Sequence, residues 1–258
     1  MLFYQGNNMI EFHSHEQQDE FVANIFNFKT NGTFLDIASG HPKIGSNSYT
    51  LEKYFNWTGY GFDIRDVEQE LQWSTHRKNP FFLMDVTSSA LNNFFAQNVA
   101  EDHVFDYISL DVDSATGNHI LDVLHRIVDS KIKFKVMTLE HEYHLYREQN
   151  RAPSRVILES IGMVRLFEDV KLWGTPSFSF EDWWVHPDYF DKTLLDLKSS
   201  NLYYFECIEK LKNNLGRNYQ ATHNCCRAFR EEYNLFHTSV EQQQINDWYT
   251  HNAQFLVR

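Results

Sequence analysis

The chain has 258 residues, of which 42% are hydrophobic and 16% aromatic, and it carries a net charge of −12. That is enough apolar material for a large domain with a substantial core, and the acidic balance argues against a nucleic-acid backbone as the main partner. No run approaches the roughly 18 to 20 apolar residues of a membrane span, which argues against a transmembrane segment. The opening MLFYQGNNMIEFHSHEQQ lacks the basic region and apolar core of a signal peptide, so the expected location is cytoplasmic. Cys207 and the adjacent Cys225 and Cys226 make no disulfide framework, because the number is odd and vicinal pairing is strained.

In chain order, residues 1–28 read as an N-terminal cover for a sheet, with Phe21, Ile25, Phe26 and Phe28 marking a short helix over 19–28. Residues 33–38 are an apolar run ending in a small residue, as a buried parallel strand should be. Ser39, Gly40, His41 and Pro42 break it with turn chemistry, and Ser46 or Asn47 can cap a helix whose apolar positions are Tyr49, Leu51, Tyr54 and Phe55. A second strand follows and stops at Asp63. This is the layout of a nucleoside-cofactor site. A small-residue turn lets backbone amides approach a ligand, and an acid at the next strand tip can accept from a ribose diol. The positions that a dinucleotide fingerprint would fill with glycine hold Ala38, Gly40 and Lys43, so no pyrophosphate cradle is evident.

Beyond it the spacing predicts a polar helix over 66–73, a strand over 80–85 ending in Asp85, a helix over 91–99, and a strand over 104–111 ending in Asp111. A helix over 119–128 and a strand over 133–139 with Glu140 at its tip come next. Strands alternating with helices imply a doubly wound parallel sheet, whose ligands bind at the carboxyl ends of the strands. Asp36, Asp63, Asp85, Asp111 and Glu140 all fall at such ends. Pro153 suits the first turn of a helix that Gly162 stops, so Arg147, Arg151 and Arg155 are not expected on one continuous helix; if they converge they could grip a diphosphate or a carboxylate. Residues 163–167 and 170–173 read as two strands forming an antiparallel end to the sheet. Residues 190–258 read as a helical extension, either a lid or a contact in a homodimer.

Two stretches carry a family resemblance: DIASGHPKIGSNSYTLEK at 36–53 and WTGYGFD at 57–63. Together they resemble, without a gap, the first motif of the FkbM-like S-adenosylmethionine methyltransferases, in the variant with His-Pro in the turn. The departure is Ala38 where that family usually has glycine, a change that matters if the position needs positive φ. DYISLDVD at 106–113, VMTLEHE at 136–142 and FEDWWVHP at 180–187 match later segments, so the resemblance covers roughly residues 30–190.

The resemblance implies a class I, Rossmann-like fold with a mostly parallel seven-stranded sheet over 29–189 and helices on both faces. It also implies S-adenosylmethionine as cofactor. The expected cofactor-binding residues are Asp36, Ala38, Ser39, Gly40, Ser46, Asn47, Asp63, Ile64, Asp85 and Val86. Asp85 and the Val86 backbone would read the adenine, the alternative for Asp85 being a cap on the next helix. The reaction it implies is O-methylation of a sugar hydroxyl, in a nucleotide-activated sugar or a surface glycan.

A sugar hydroxyl is a poor nucleophile, and a general base or a divalent metal remedies that. Asp111 and Glu140, on adjacent strand tips, are expected to share a cation with His141 as third ligand, the oxygens favouring Mg²⁺ or Mn²⁺ and the imidazole tilting toward Mn²⁺ or Fe²⁺. Asp113 completes an Asp-x-Asp pair like that of metal-dependent sugar methyltransferases. His141 and His144 are the candidate bases. Trp183 and Trp184 could stack on a sugar, although a Trp pair is more often core. The rival readings are a methyltransferase for a polyketide, lipid or phosphorus-containing metabolite, and a non-catalytic binding module.

Overall fold

The computed structural model describes residues 9–64, 67–112, 118–172 and 179–223, with backbone alone for 67–71. Its elements run β1 (Ile10–Phe12), α1 (Gln18–Ile25), β2 (Thr33–Ile37), α2 (Tyr49–Phe55), β3 (Thr58–Asp63), α3 (Val67–His76), β4 (Phe81–Leu83), α4 (Ala90–Asn98) and β5 (Val104–Leu110). After them come α5 (His119–Asp129), β6 (Lys133–Glu140), α6 (Tyr143–Tyr146), α7 (Glu148–Ser160), β7 (Val164–Lys171) and β8 (Ser179–Val185). The last are a 3₁₀ turn at Pro187–Tyr189, α8 (Lys192–Leu195), β9 (Ser199–Ser200), α9 (Tyr204–Leu215) and β10 (Ala221–His223).

The main sheet is eight-stranded, in the order β4-β3-β2-β5-β6-β8-β7-β9. Pairing is parallel from β4 through β6, and β8 then runs antiparallel to both β6 and β7. Counted from β2 as the first strand, the order is 3-2-1-4-5-7-6 with β9 added at the edge, which is the class I methyltransferase arrangement. The expected seven strands therefore become eight, because the pair Ser199–Ser200 joins β7 in parallel beyond the expected edge.

Alternation along the strands builds both faces. Phe34, Tyr107, Val136 and Trp183 point to one side, into a core completed by Phe21 and Val22 of α1, Leu51 and Phe55 of α2, and Ile208 and Leu211 of α9. Leu35, Ile108, Met137 and Trp184 point to the other, onto Phe94 of α4, Val123 and Ile127 of α5, and Leu158 of α7. A strand buried on both faces needs apolar residues at nearly every position, and these have them. Trp183 and Trp184 are both fully buried, one in each core.

Three local expectations are corrected. The stretch 163–173 is not two strands: β7 is one strand with register shifts, bent at Asp169 (φ 55°), and its antiparallel partner is β8. The helix α7 runs through Pro153 and carries both Arg151 and Arg155, with Arg147 as its N-cap. Proline removes only the bond to the carbonyl four residues back, that of Gln149, in an exposed first turn that water reaches. The described part of the C-terminal extension holds strands as well as helices, since β10 pairs in parallel with β1 as a separate two-stranded sheet.

Candidate functional site

The direction of the strand order reverses between β2 and β5, and the loop after β2 lies at that switch point. Two left-handed residues turn it: Ala38 (φ 59°) and Gly40 (φ 59°). Ala38 thus holds the conformation that favours glycine. The Asp63 carboxylate, at the tip of β3, accepts from the Gly40 amide at 2.9 Å and the Ile64 amide at 2.7 Å, tying the loop to the neighbouring strand end. Ser39 N–H donates to the Phe62 carbonyl at 2.9 Å. His41 Nδ1 accepts from the Lys43 and Ile44 amides at 3.1 and 2.9 Å, so the histidine of the His-Pro turn closes the turn itself. Ser48 is the N-cap of α2, while Ser46 Oγ accepts from the Tyr49 amide at 3.2 Å.

Arg77, just after α3, is the residue that sequence reading missed here. Its guanidinium is buried and donates to the Pro42 carbonyl (3.0 Å), Ser46 Oγ (3.2 Å), Ser48 Oγ (2.8 Å) and Glu52 Oε2 (2.5 Å). It stacks over Trp73 at 4.3 Å, and Trp73 in turn packs where a side chain on Gly61 would sit. A glycine in β3 thereby makes room for the ring on which the clamp rests. Nothing in periodicity marks an arginine in a polar helix end.

Continuing two residues at a time past the apolar positions of one sheet face, the side chains become polar: Asp36 after Phe34, Ser109 and Asp111 after Tyr107, Thr138 and Glu140 after Val136. Asp36 accepts a short hydrogen bond from Ser48, and its burial pushes the carboxyl up to about 6. Asn47 Nδ2 donates to Ser109 Oγ at 2.9 Å. Glu140 stands directly opposite Glu181 of β8, in the register Glu140↔Glu181. Burial, and then the Asp111 carboxylate to which it is hydrogen-bonded, hold Glu140 well above the usual carboxylate range. Burial, then Glu16 and Asp111, do the same to Glu181. Burial and Asp111 push Glu16 up to about 8. The structure thus brings Asp111 and Glu140 together as their strand order required, and adds Glu16 and Glu181, which the sequence did not point to.

His141 goes elsewhere. Its ring is fully buried, with Nε2 3.7 Å from Asp182 and 3.9 Å from Asp169, and Nδ1 accepting from the Tyr143 amide at 3.3 Å. It is therefore placed with a different pair of carboxylates from Asp111 and Glu140, a consequence of the strand ending at Glu140 and the chain turning. His141, Asp169 and Asp182 have ligand atoms within 4.8 Å of one another, yet Arg155 bridges both carboxylates at 2.8 and 2.9 Å and Arg151 binds Asp169 at 2.8 Å. Those guanidinium groups already supply the positive charge that a cation would bring. Despite its burial, His141 and Arg155 hold Asp182 well below the usual range. Arg151 and Arg155 do converge, but on the protein's own carboxylates, whereas Arg147 lies over the Tyr143 ring at 5.7 Å.

His144, on α6, is half-buried, and burial lowers it to about 4, which keeps the imidazole neutral. Asp85 is exposed and accepts from the Thr87 amide and hydroxyl at 2.9 and 2.7 Å, a bond within its own turn and not a cap on α4, whose N-cap is Ser89; Val86 beside it is buried, and Ile64 is 70% exposed. Asp113 lies outside the described residues, as do Cys225 and Cys226. Among the described residues no helix is long and apolar enough to cross a membrane.

No protein-family model and no curated protein matches the chain. Among solved structures, it is similar to the Dnmt2 methyltransferase of S. pombe at 15% identity and a TM-score of 0.43, covering 60% of this chain and 48% of that one. It is also similar to the plantazolicin methyltransferase BpumL in complex with SAH, at 13% identity and TM-score 0.40 over 67% of this chain and 82% of that one. A third is the small RNA methyltransferase HEN1, at 13% identity and TM-score 0.42 over 67% of this chain and 25% of that one. The chain therefore spans about half the length of the first of these and a quarter of the third. Likenesses this distant concern the fold alone, whose class the strand order carries.

Proposed function

We propose that this chain is an S-adenosylmethionine-dependent O-methyltransferase that acts on a sugar hydroxyl. The observation that carries the proposal is the loop after β2, held at the switch point by Asp63 and Arg77, with carboxylates at the adjoining strand tips. In this reading the turn at 38–40 faces the methionine part of the cofactor and Asp63 takes the ribose diol. Ile64, Asp85 and Val86 border the adenine, and Ser46 and Asn47 flank the loop's far side. The sugar is supported by the motif resemblance alone, since a fold does not fix a substrate.

Methyl transfer from a sulfonium is an in-line displacement, and the cofactor supplies the electrophile. What the chain must do is hold an acceptor oxygen in line and draw off its proton. In this reading Asp111 and Glu140, at the carboxyl end of the sheet, do that. Their all-oxygen donor set suits a hard divalent cation such as Mg²⁺ or Mn²⁺, which would lower the hydroxyl's pKa when bound. His141 is not part of that set, and the general base it was expected to be is better sought among the carboxylates. The engaged Arg151 and Arg155 give no grip on a diphosphate, which favours the glycan over the nucleotide-activated form.

The test is mass spectrometry of reactions containing S-adenosylmethionine and a panel of sugars, nucleotide sugars and glycans, run with Mg²⁺, with Mn²⁺ and with chelator. A gain of one methyl group supports the proposal, and its loss on chelation supports the cation. Cofactor binding without any gain on the panel would move the reading to a non-sugar acceptor.

A further inference from the structure

Residues 13–18 cross the carboxyl end of the main sheet between β1 and α1. Ser14 pairs with Gly45 of the cofactor loop in an isolated parallel bridge. Gly45 has φ 70°, and a Cβ there would lie 2.4 Å from His15 Nε2, so the glycine admits the imidazole onto the loop backbone. Asp19 fastens the other end. Its fully buried carboxylate accepts from the His13 amide at 2.7 Å, the Ser14 hydroxyl at 2.5 Å and the Thr50 hydroxyl of α2 at 2.5 Å. Between these fastenings Gln17 adopts φ 62°, which turns the chain. Glu16 and Gln18 are linked to each other, the Glu16 amide donating to Gln18 Oε1 at 3.0 Å. Gln18 also bonds to Glu181, and Glu16 lies within electrostatic reach of Asp111, Glu140 and Glu181.

We infer that residues 14–18 form a strap completing the acceptor side of the site, and that Glu16 is a positioning residue for the acceptor. This rests on the methyltransferase reading. The strap is fixed by hydrogen bonds to α2 and by backbone pairing to the cofactor loop. Toward the strand tips it presents a carboxylate to carboxylates, and like charges repel. Protons already relieve part of that repulsion, since Glu16, Glu140 and Glu181 are all held above the usual carboxylate range, and a ligand that brings hydrogen-bond donors or positive charge relieves it further. The acceptor oxygens of Glu16, Asp111 and Glu140 suit a polyol or amine-bearing acceptor, which supplies donors, and oppose a phosphorylated one. The strap thus links the loop after β2 to the acceptor side of the strand tips.

The experiment compares wild-type protein with Glu16→Ala, Glu16→Gln and Glu16→Asp. It measures the S-adenosylmethionine dissociation constant by calorimetry, and kcat and KM separately on an acceptor that the wild type methylates. The inference expects cofactor affinity within twofold for all variants. It expects kcat/KM to fall at least tenfold in Ala and Gln, with the loss mainly in acceptor KM, and to recover at least in part in Asp. Acceptor kinetics within twofold of wild type in Glu16→Ala would overturn it, as would a loss of cofactor affinity equal to the loss in kcat/KM. A wild type that binds cofactor and methylates no acceptor would instead remove the underlying reading, and the strap's role with it.

Discussion

Replacing Arg77 by methionine tests the clamp on the loop after β2. The Arg77 side chain is 0% exposed and its partner Glu52 only 9%, so solvent does not share their charges. Removing the guanidinium leaves Glu52 buried without its cation and takes a donor from the Pro42 carbonyl, Ser46 and Ser48. Breaking such a buried pair costs about 3–5 kcal/mol, a large part of the roughly 5–15 kcal/mol by which domains are stable. Arg77→Lys keeps the charge but not the fork, and should cost about half as much. In Arg77→Met/Glu52→Met the orphaned charge is gone, so the double variant should be more stable than Arg77→Met by about 1 kcal/mol or more. The pH dependence has a definite sign. Although burial opposes it, Arg77 holds Glu52 below its usual pKa, so the stabilisation is present above the unfolded value near 4.5 and is lost as pH falls through the folded value. Urea unfolding followed by tryptophan fluorescence reads these differences, and calorimetry with S-adenosylmethionine reads the loop. A cost below about 1 kcal/mol for Arg77→Met, with unaltered cofactor affinity, would refute the clamp.

Other outcomes follow from the same geometry. Asp63→Ala should weaken S-adenosylmethionine binding at least tenfold by calorimetry, since it removes the proposed ribose acceptor and frees the Gly40 amide. Asp111→Asn and Glu140→Gln should bind the cofactor within about twofold of wild type while kcat drops at least 100-fold, and Mn²⁺ titration should show weaker binding in both. Because the Asp36 carboxyl is raised to about 6 from 3.8, its burial destabilises the protein above pH 6 and not below pH 4, a difference on the order of 3 kcal/mol. Urea midpoints of wild type and Asp36→Asn, compared between pH 4 and 7, should diverge by that pattern. At φ 59°, Ala38→Val should cost about 2 kcal/mol by thermal or urea unfolding, whereas Ala38→Gly should be tolerated within about 1 kcal/mol.

The parallel strands were legible because each is a short apolar run closed by an acid or a small residue, from Thr33–Ile37 to Lys133–Glu140. That pattern follows from burial on both faces, which leaves acids and small residues to the tips. The helix α5 was legible from its spacing. Pro153 misled because its effect depends on how well water serves one carbonyl, and Glu168-Asp169 read as a turn where the chain only bulges. At the site, strand order sufficed to join Asp111 with Glu140. It could not say which way the chain turns after Glu140, and so it misplaced His141. Arg77 and Glu16 reach the site from an undistinguished helix end and an aperiodic segment, and only the tertiary fold gives them partners.

The pairing of Ile10–Phe12 with Ala221–His223 has a consequence for how this molecule is made. A chain emerging from the ribosome can close every strand of the large sheet once Ser200 is out. Among the described residues, β1 has no strand to pair with until His223 follows and meets Glu20, which it contacts at 2.5 Å. The segment leading to Glu16 is therefore moored in two stages, its fastenings to Gly45 and Thr50 forming with the large sheet and the pairing of β1 with Ala221–His223 only afterwards.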